Sequence, residues 1–251
     1  MNEKILGRNN YEIPCVNNVT EDEKIVVIIS HGLGSSKGSP TVLALMEKME
    51  SCGIGTFAYD FPGHGESPVD GRKFLIKNCL SDLADAEDHV RLLAPKAEIV
   101  YFSSSFGAYI NILYLSQRKN TGRKSFLRSA AVDMPGIFKS RETTELIEQL
   151  KKNGCFVINE DSERPLIITK EFCDELAENN VFEKYIPKTL SIAMVHGDLD
   201  ETAPVEDAKK FSGKNNFELI VVKDGYHRLM GPGQMNFVLE KAAEFFKGVA
   251  L

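Results

Sequence analysis

The stretch IVYFSSSFGA, residues 99–108, constrains the fold of this chain more than any other. Strand-forming residues lead into three serines, and an apolar segment of helical character, residues 106–117, follows them. A strand, a sharp turn and a helix are therefore predicted. Residues 103–107, SSSFG, match the nucleophile-elbow pattern G-x-S-x-G with serine in place of the first glycine. The pattern puts Ser105 at the turn, although a serine-rich turn is also typical of an ordinary helix N-cap.

Short apolar runs alternate with helix-length segments on both sides of this stretch. Two short antiparallel strands are predicted within residues 4–16. Further strands are predicted at residues 24–30, 56–60, 97–102, 129–133, 190–195 and 217–222. Helices are predicted at residues 41–49, 74–93, 106–117, from about 205, and 235–246. This alternation predicts an α/β fold with a mainly parallel central sheet that is covered by helices on both faces.

The alternation is interrupted between residues 139 and 188. This segment is predicted to contain a charged helix, two β-like runs and a second helix, at residues 142–153, 155–159, 165–169 and 170–179. A polar turn at residues 160–164 is predicted to join the two β-like runs. Because a predicted strand precedes it and another follows, both of its ends should emerge at the carboxyl edge of the sheet. We therefore expect residues 1–138 and 189–251 to form the core, and residues 139–188 to form an inserted cap.

Composition excludes several classes of protein. A chain of 251 residues that is 43% apolar can bury a sizeable core as one domain with an insertion. A net charge of −6 provides no broad basic surface for nucleic acid or an anionic membrane. The five cysteines show no C-x-x-C spacing, so neither a disulfide framework nor a zinc site is indicated. The first residues lack an apolar signal segment and no run is long enough to span a membrane, so a cytoplasmic location is expected.

Polar side chains follow two of the later predicted strands. Residues 196–200 read HGDLD, and residues 223–227 read KDGYH. Since the carboxyl ends of parallel strands meet at one edge of the sheet, Ser105, an acid such as Asp200 and His227 should converge there. Taken singly, the acid could be a turn former and the histidine an ordinary loop residue. Their joint occurrence at strand ends favours a site.

These segments resemble the α/β-hydrolase superfamily, and within it the esterase and monoacylglycerol-lipase-like group that includes bacterial feruloyl (cinnamoyl) esterases. The resemblance rests on HGLGSS, DFPGHGES, SSSFGA, HGDLDETAP and DGYH, at residues 31–36, 60–67, 103–108, 196–204 and 224–227. It implies that Ser105 is the nucleophile, Asp200 the acid and His227 the base, in the chain order of that fold. It also implies an oxyanion hole formed by the backbone amides of Leu33 and Phe106.

The choice of acid follows the family pattern H-G-x-x-D, which selects Asp200 rather than Asp198 in the same loop. Asp224 is a weaker alternative, because it lies too close to His227 along the chain to orient the imidazole easily. Ser103 departs from the family, which usually has glycine at this position.

The resemblance implies a serine esterase that cleaves carboxylic esters of small or aromatic acyl groups through an acyl-enzyme, with no metal or organic cofactor. A small-molecule ester is the expected partner. A thioesterase, a proline-type aminopeptidase and a non-catalytic binding protein of the same fold are the alternatives. A metal site at His31 and His64 is not favoured, since no carboxylate or further histidine stands at ligand spacing from either.

The cap is expected to set specificity. Its apolar residues, among them Phe156 and Phe172, cannot all be buried within a short hairpin and helix, so some should face the pocket. We therefore expect Phe156 and Phe172 to contact an apolar or aromatic acyl group. The alternative is that they only pack the cap onto the sheet.

Overall fold

A computed structural model of the chain describes residues 2–118, 124–158, 164–184, 186 and 189–248. These residues form ten β-strands, namely β1 (Asn2–Leu6), β2 (Glu12–Asn17), β3 (Ile25–Ser30), β4 (Gly55–Tyr59), β5 (Glu98–Ser104), β6 (Lys124–Arg128), β7 (Cys155–Ile158), β8 (Leu166–Thr169), β9 (Ser191–Gly197) and β10 (Glu218–Val222). Eight of them build one sheet in the order β1-β2-β4-β3-β5-β6-β9-β10. Only the β1–β2 and β2–β4 pairs are antiparallel, so the predicted mainly parallel sheet is confirmed.

The same residues form eight α-helices, namely α1 (Pro40–Ser51), α2 (Ile76–Leu93), α3 (Phe106–Gln117), α4 (Met134–Ser140), α5 (Thr144–Asn153), α6 (Lys170–Glu178), α7 (Val205–Asn215) and α8 (Gln234–Phe246). The helices cover both faces of the sheet. Successive side chains of β3 point to opposite faces of the sheet. Val26 and Ile28 belong to the cluster that contains α2 and α3. Val27 and Ile29 belong to the cluster that contains α1 and α8. An almost wholly apolar strand is thereby explained, because both of its faces are buried. Among the residues that the structure describes, no helix is long and apolar enough to cross a membrane.

The prediction of a strand at residues 129–133 is wrong. The strand is β6, which ends at Arg128, and the backbone of Ser129 turns away from it with a φ of +47°. The strand sequence KSFLR contains polar residues, which do not indicate a buried strand. Ser125 is nevertheless fully buried, and its burial is favourable because its hydroxyl donates to Asn111 Oδ1 at 2.6 Å. Asp133, the predicted end of the strand, caps helix α4 by accepting a hydrogen bond from the Gly136 amide.

The two β-like runs predicted in the insertion form an antiparallel hairpin, β7 and β8. The predicted turn at residues 160–164 lies outside the described residues except for Arg164. The Arg164 guanidinium donates to the carbonyl oxygens of Gly65, Ser67 and Val69, which fastens the hairpin to the loop after β4. Helix α5 has no buried residue, whereas β8 and α6 are anchored by buried apolar side chains. The division into a core and a cap at residues 139–188 stays a prediction.

Candidate active site

Ser105 stands between the end of β5 and the first residue of α3. Its backbone has a φ of +52° and a ψ of −117°, a region that is sterically costly for a residue with a Cβ. Hydrogen bonds hold it there, since the Ser105 amide donates to the Arg128 carbonyl at 2.9 Å and the Ser105 carbonyl accepts from Ala108 at 3.0 Å. The sharp strand-to-helix turn expected from the sequence is therefore present.

The flanking positions of this turn differ in how much space they need. A Cβ on Gly107 would lie 2.5 Å from the carbonyl oxygens of Ser30 and His31, so α3 can approach the end of β3 only with glycine there. Ser103 replaces the glycine that the family usually has. Its side chain is fully buried and its hydroxyl finds no hydrogen-bond partner within the described part of the chain, so the strand accommodates serine at this position.

The structure brings Ser105, His227 and Asp200 together from the loops that follow β5, β10 and β9. His227 Nε2 lies 3.0 Å from Ser105 Oγ, and His227 Nδ1 lies 2.8 and 2.9 Å from the two carboxylate oxygens of Asp200. The Asp200 side chain is fully buried, while that of His227 is 17% exposed. A hydroxyl, an imidazole and a carboxylate thus form one hydrogen-bonded line that reaches solvent at the serine end.

The carboxylate of Asp200 is held by groups of its own loop and by a second histidine. Its Oδ1 atom accepts from the amides of Thr202 and Ala203 at 2.9 and 2.8 Å, and His196 Nε2 lies 3.1 Å from its Oδ2 atom. Burial opposes ionisation, but the hydrogen bonds from His196 and His227 outweigh it and hold the pKa of Asp200 well below its usual range. Asp200 is therefore ionised at neutral pH.

The neighbouring acid has a different environment. Asp198 lies two residues earlier, and its Oδ1 atom accepts from the Gly225 amide at 3.2 Å. It thus ties the loop after β9 to the loop after β10, and its carboxylate is used in that contact. The same HGDLD motif begins with His196, to which the sequence pattern gives no role; its signal is its place at the end of the buried strand β9.

The two residues expected to form the oxyanion hole are near Ser105 in the chain or in the fold: Phe106 directly follows Ser105, and Leu33 follows Gly32, which packs against it. The Phe106 amide is the first of α3, so it has no acceptor within the helix and lies at the positive end of the helix dipole. The loop that carries Leu33 packs onto the serine, because a Cβ on Gly32 would lie 3.3 Å from Ser105 Cβ. Such an arrangement suits a negatively charged oxygen.

His31 and His64 support loops at this edge. His31 Nδ1 donates to the Gly32 carbonyl and its Nε2 accepts from the Phe61 amide, and His64 Nδ1 donates to the Pro62 carbonyl. Burial lowers the pKa of His31 to about 4 and that of His64 to about 3, so both are neutral at physiological pH. In the described ranges, no three His, Cys, Asp or Glu side chains are arranged to hold a metal ion.

A cavity of about 470 Å³ extends from Leu33 into the insertion. Helices α4, α5 and α6 and strand β7 provide its walls, which consist of Leu33, Pro135, Phe138, Lys139, Arg141, Glu142, Leu146, Ile147, Leu150, Phe156, Ile158, Cys173, Leu176 and Ala177. Most of these side chains are apolar. An apolar group attached to a carbonyl carbon near Ser105 could therefore enter this cavity from the Leu33 end.

The structure separates the two phenylalanines expected to bind substrate. Phe156 lines the cavity, but Phe172 is fully buried and lies outside its wall. The ring of Phe172 stacks on Phe74 with centroids 4.9 Å apart, and it lies 6.2 Å from Phe106 and 5.5 Å from Phe138. The prediction of Phe172 as a substrate contact is therefore corrected: it lies on the face of α6 that packs against the core, and its neighbour Cys173 faces the cavity.

Comparisons with known proteins agree with this architecture. The family model described as serine aminopeptidase, S33, matches residues 21–160. No curated protein matches the sequence significantly. Among solved structures, alpha/beta hydrolase domain-containing protein 10 from mouse is 15% identical with a TM-score of 0.82, and the match covers 100% of both chains.

Two further structures are similar over almost the whole chain. Est1E from Butyrivibrio proteoclasticus, with ferulic acid bound, is 20% identical with a TM-score of 0.79 and covers 99% of this chain and 98% of its own. A monoacylglycerol lipase from Paleococcus ferrophilus is 17% identical with a TM-score of 0.76 and covers 94% of this chain and 99% of its own. At these identities the likeness establishes a shared fold.

Proposed function

The chain belongs to the serine aminopeptidase S33 family of α/β hydrolases, and we propose that it is a serine hydrolase that cleaves carboxylic esters of small apolar or aromatic acyl groups. One observation carries this proposal. The hydrogen-bonded line from Ser105 through His227 to Asp200 packs against Gly32, and the next residue, Leu33, lines a largely apolar cavity.

The proposed mechanism follows from what each group can do. Ser105 is a weak nucleophile as a neutral hydroxyl, and His227 Nε2 accepts its proton as Oγ attacks the ester carbonyl. Asp200 stabilises the imidazolium that forms and keeps Nδ1 protonated. The amides of Leu33 and Phe106 donate to the developing oxyanion, an interaction worth about 3 kcal/mol per donor. His227 then protonates the leaving alcohol, and water hydrolyses the acyl-enzyme by the same steps.

The cavity wall favours an ester over a peptide substrate. An aminopeptidase must bind the free ammonium of its substrate, and carboxylates are the groups that do so. Within the described wall, Glu142 is the one carboxylate, and Lys139 and Arg141 stand with it. The remaining wall is apolar and suits an acyl chain or an aromatic ring. The bound ferulic acid of Est1E and the monoacylglycerol lipase of similar fold support an acyl-ester substrate.

An aminopeptidase is the second candidate, because the matching family model carries that description. A hydrolysis panel separates the two. It contains p-nitrophenyl acetate and octanoate, methyl ferulate, a monoacylglycerol, an acyl-CoA and aminoacyl-p-nitroanilides. We expect higher kcat/KM for the oxygen esters than for the acyl-CoA or the anilides. Faster cleavage of the acyl-CoA or an anilide would instead assign a thioesterase or an aminopeptidase.

A second measurement tests catalysis itself. A fluorophosphonate probe should form one adduct, and mass spectrometry should locate it on Ser105. If the protein neither releases p-nitrophenol from any ester nor reacts with the probe, the chain is a binding protein of this fold and the proposal is wrong.

A further inference from the structure

Two adjacent residues at the carboxyl end of β6, Arg128 and Ser129, are hydrogen-bonded to the main chains of Ser105 and His227. On one side, the Arg128 carbonyl accepts a hydrogen bond from the Ser105 amide at 2.9 Å. On the other side, Ser129 Oγ donates to the His227 carbonyl at 2.8 Å. The main chains of the nucleophile and of the base are thus both bonded to one dipeptide.

The side chain of Arg128 strengthens this connection. Its Nη2 atom donates to the carbonyl of Arg228, the residue after the base, and its Nη1 atom lies 3.5 Å from Oγ of Ser104, the residue before the nucleophile. The guanidinium is buried, with the residue only 7% exposed. Burial lowers the pKa of Arg128 to about 10, and the negative charge of Asp200 opposes this shift, so the cation persists at neutral pH.

The loop that carries His227 is held at two further points. The His227 amide donates to Glu201 Oε2 at 3.3 Å, so side chains from other elements bond both the N–H and the C=O of this residue. The Ser129 amide donates to the Val195 carbonyl at 2.8 Å, which joins the dipeptide to the strand that leads to Asp200. Ser129 makes these contacts from the left-handed region of backbone space, a conformation that costs free energy and persists only where its surroundings stabilise it.

We propose that Arg128 and Ser129 are positioning residues that fix the loop of His227 relative to Ser105. The inference rests on the proposed function. His227 lies in a loop without regular secondary structure, so the 3.0 Å contact between Nε2 and Oγ depends on where that loop is held. A displacement of about 1 Å between reacting groups can cost about 100-fold in rate.

Ser129→Ala and Arg128→Met test this, because each removes a donor to the loop and leaves the three proposed catalytic side chains in place. We expect kcat per active site, counted by fluorophosphonate titration, to fall about 10- to 100-fold, with KM changed much less. The rate of fluorophosphonate labelling should fall in parallel. Arg128→Lys, which keeps a donor and the charge, should recover part of the loss.

Matched controls lie on the same strand. Lys124 donates to the Phe246 carbonyl at 3.3 Å and Ser125 donates to Asn111, both away from the triad. Lys124→Met and Ser125→Ala should change thermal stability but leave kcat per active site close to that of the unmodified protein.

Three outcomes would overturn the proposal. They are an unchanged kcat per active site in Ser129→Ala, a loss confined to KM, and equal losses of kcat in the control variants. If Arg128→Met does not fold, Ser129→Ala decides alone, since it removes a single hydroxyl. An active Ser105→Ala variant would instead contradict the proposed function, so the two failures are distinguishable.

Discussion

The Nε2 atom of His196 lies 3.1 Å from the Oδ2 atom of Asp200, so the proposed acid is paired with a second, fully buried histidine. The same His196 nitrogen also lies 2.7 Å from the Ala203 carbonyl, which fixes the ring at the end of β9. His227 Nδ1 approaches Asp200 Oδ2 at 2.8 Å. A buried carboxylate would ordinarily resist ionisation, and these donors are what keep it charged beside the proposed base.

This environment predicts a large difference between two neighbouring acids. Asp200→Asn removes the charge that stabilises the His227 imidazolium, so kcat should fall about 10⁴-fold. Asp198→Asn changes a group that bonds the Gly225 amide and should be mild. Steady-state kinetics with p-nitrophenyl acetate measures both variants. Losses of equal size would mean that Asp200 has no special role.

The proposed nucleophile, Ser105, is tested by comparison with Ser103, which lies two residues earlier. Ser105→Ala should lower kcat about 10⁴-fold or more, because the members of a triad act as a unit. Ser103→Ala is the matched control, since that hydroxyl is buried without a partner in the described part of the chain and its loss should leave activity intact. Circular dichroism verifies that both variants fold. An inactive Ser103→Ala variant beside an active Ser105→Ala variant would show that Ser103, and not Ser105, is the nucleophile.

Replacement of Phe156 and of Phe172 should have different effects. Phe156→Ala removes part of the cavity wall and should change the ratio of kcat/KM between acetyl and longer or aromatic esters, by about 1 to 3 kcal/mol in apparent free energy. Phe172→Ala opens a hole in a cluster of rings and should lower the free energy of unfolding by about 3 to 5 kcal/mol. That loss should leave the ester preference unchanged. A changed preference in Phe172→Ala alone would mean that the acyl group contacts Phe172 and not Phe156.

Two helical glycines offer a stability test of the turn. Gly107→Ala would push a Cβ to 2.5 Å from two carbonyl oxygens at the end of β3, and the resulting shift of α3 should cost at least about 1 to 3 kcal/mol and reduce activity. Gly213, in α7, has no atom within 4 Å of its added Cβ. Gly213→Ala should therefore stabilise the protein by about 0.5 to 1 kcal/mol. Urea denaturation measures both; stabilisation by Gly107→Ala would contradict the packing at this turn.

The buried histidines predict loss of stability in acid. In the unfolded chain, His64 binds a proton as the pH falls through 6.5, whereas in the folded protein its pKa is about 3. Between these values the unfolded state binds more protons, so the free energy of unfolding falls as the pH falls. From pH 7.5 to pH 5.0 this one group accounts for about 2 kcal/mol. His64→Phe should be less stable at pH 7.5, where it lacks the bond to the Pro62 carbonyl, but should lose about 2 kcal/mol less on acidification. Equal losses in both proteins would contradict burial of a neutral His64.

Local sequence alone determined the parts whose geometry depends on neighbours along the chain. The strand, turn and helix around Ser105 follow from an apolar run, small residues and a helical stretch, because a sharp turn restricts residue type at each step. The short apolar runs, including that of β3, predict a sheet that is buried on both faces. From that parallel sheet it followed that the loops with Asp200 and His227 meet Ser105, since all three follow strands that end at one edge.

Tertiary structure decided which polar residues are buried and which apolar residues face the cavity. Strand β6 was missed because Ser125 and Arg128 look exposed in sequence, and only partners from other elements make their burial favourable. Phe156 and Phe172 are equally apolar, so their different positions depend on how β7 and α6 dock. The connection from Arg128 and Ser129 to His227 spans about a hundred residues of chain, and no local pattern encodes it. Burial of a polar group is stable only when a distant partner satisfies it, and that partner exists only in the folded chain.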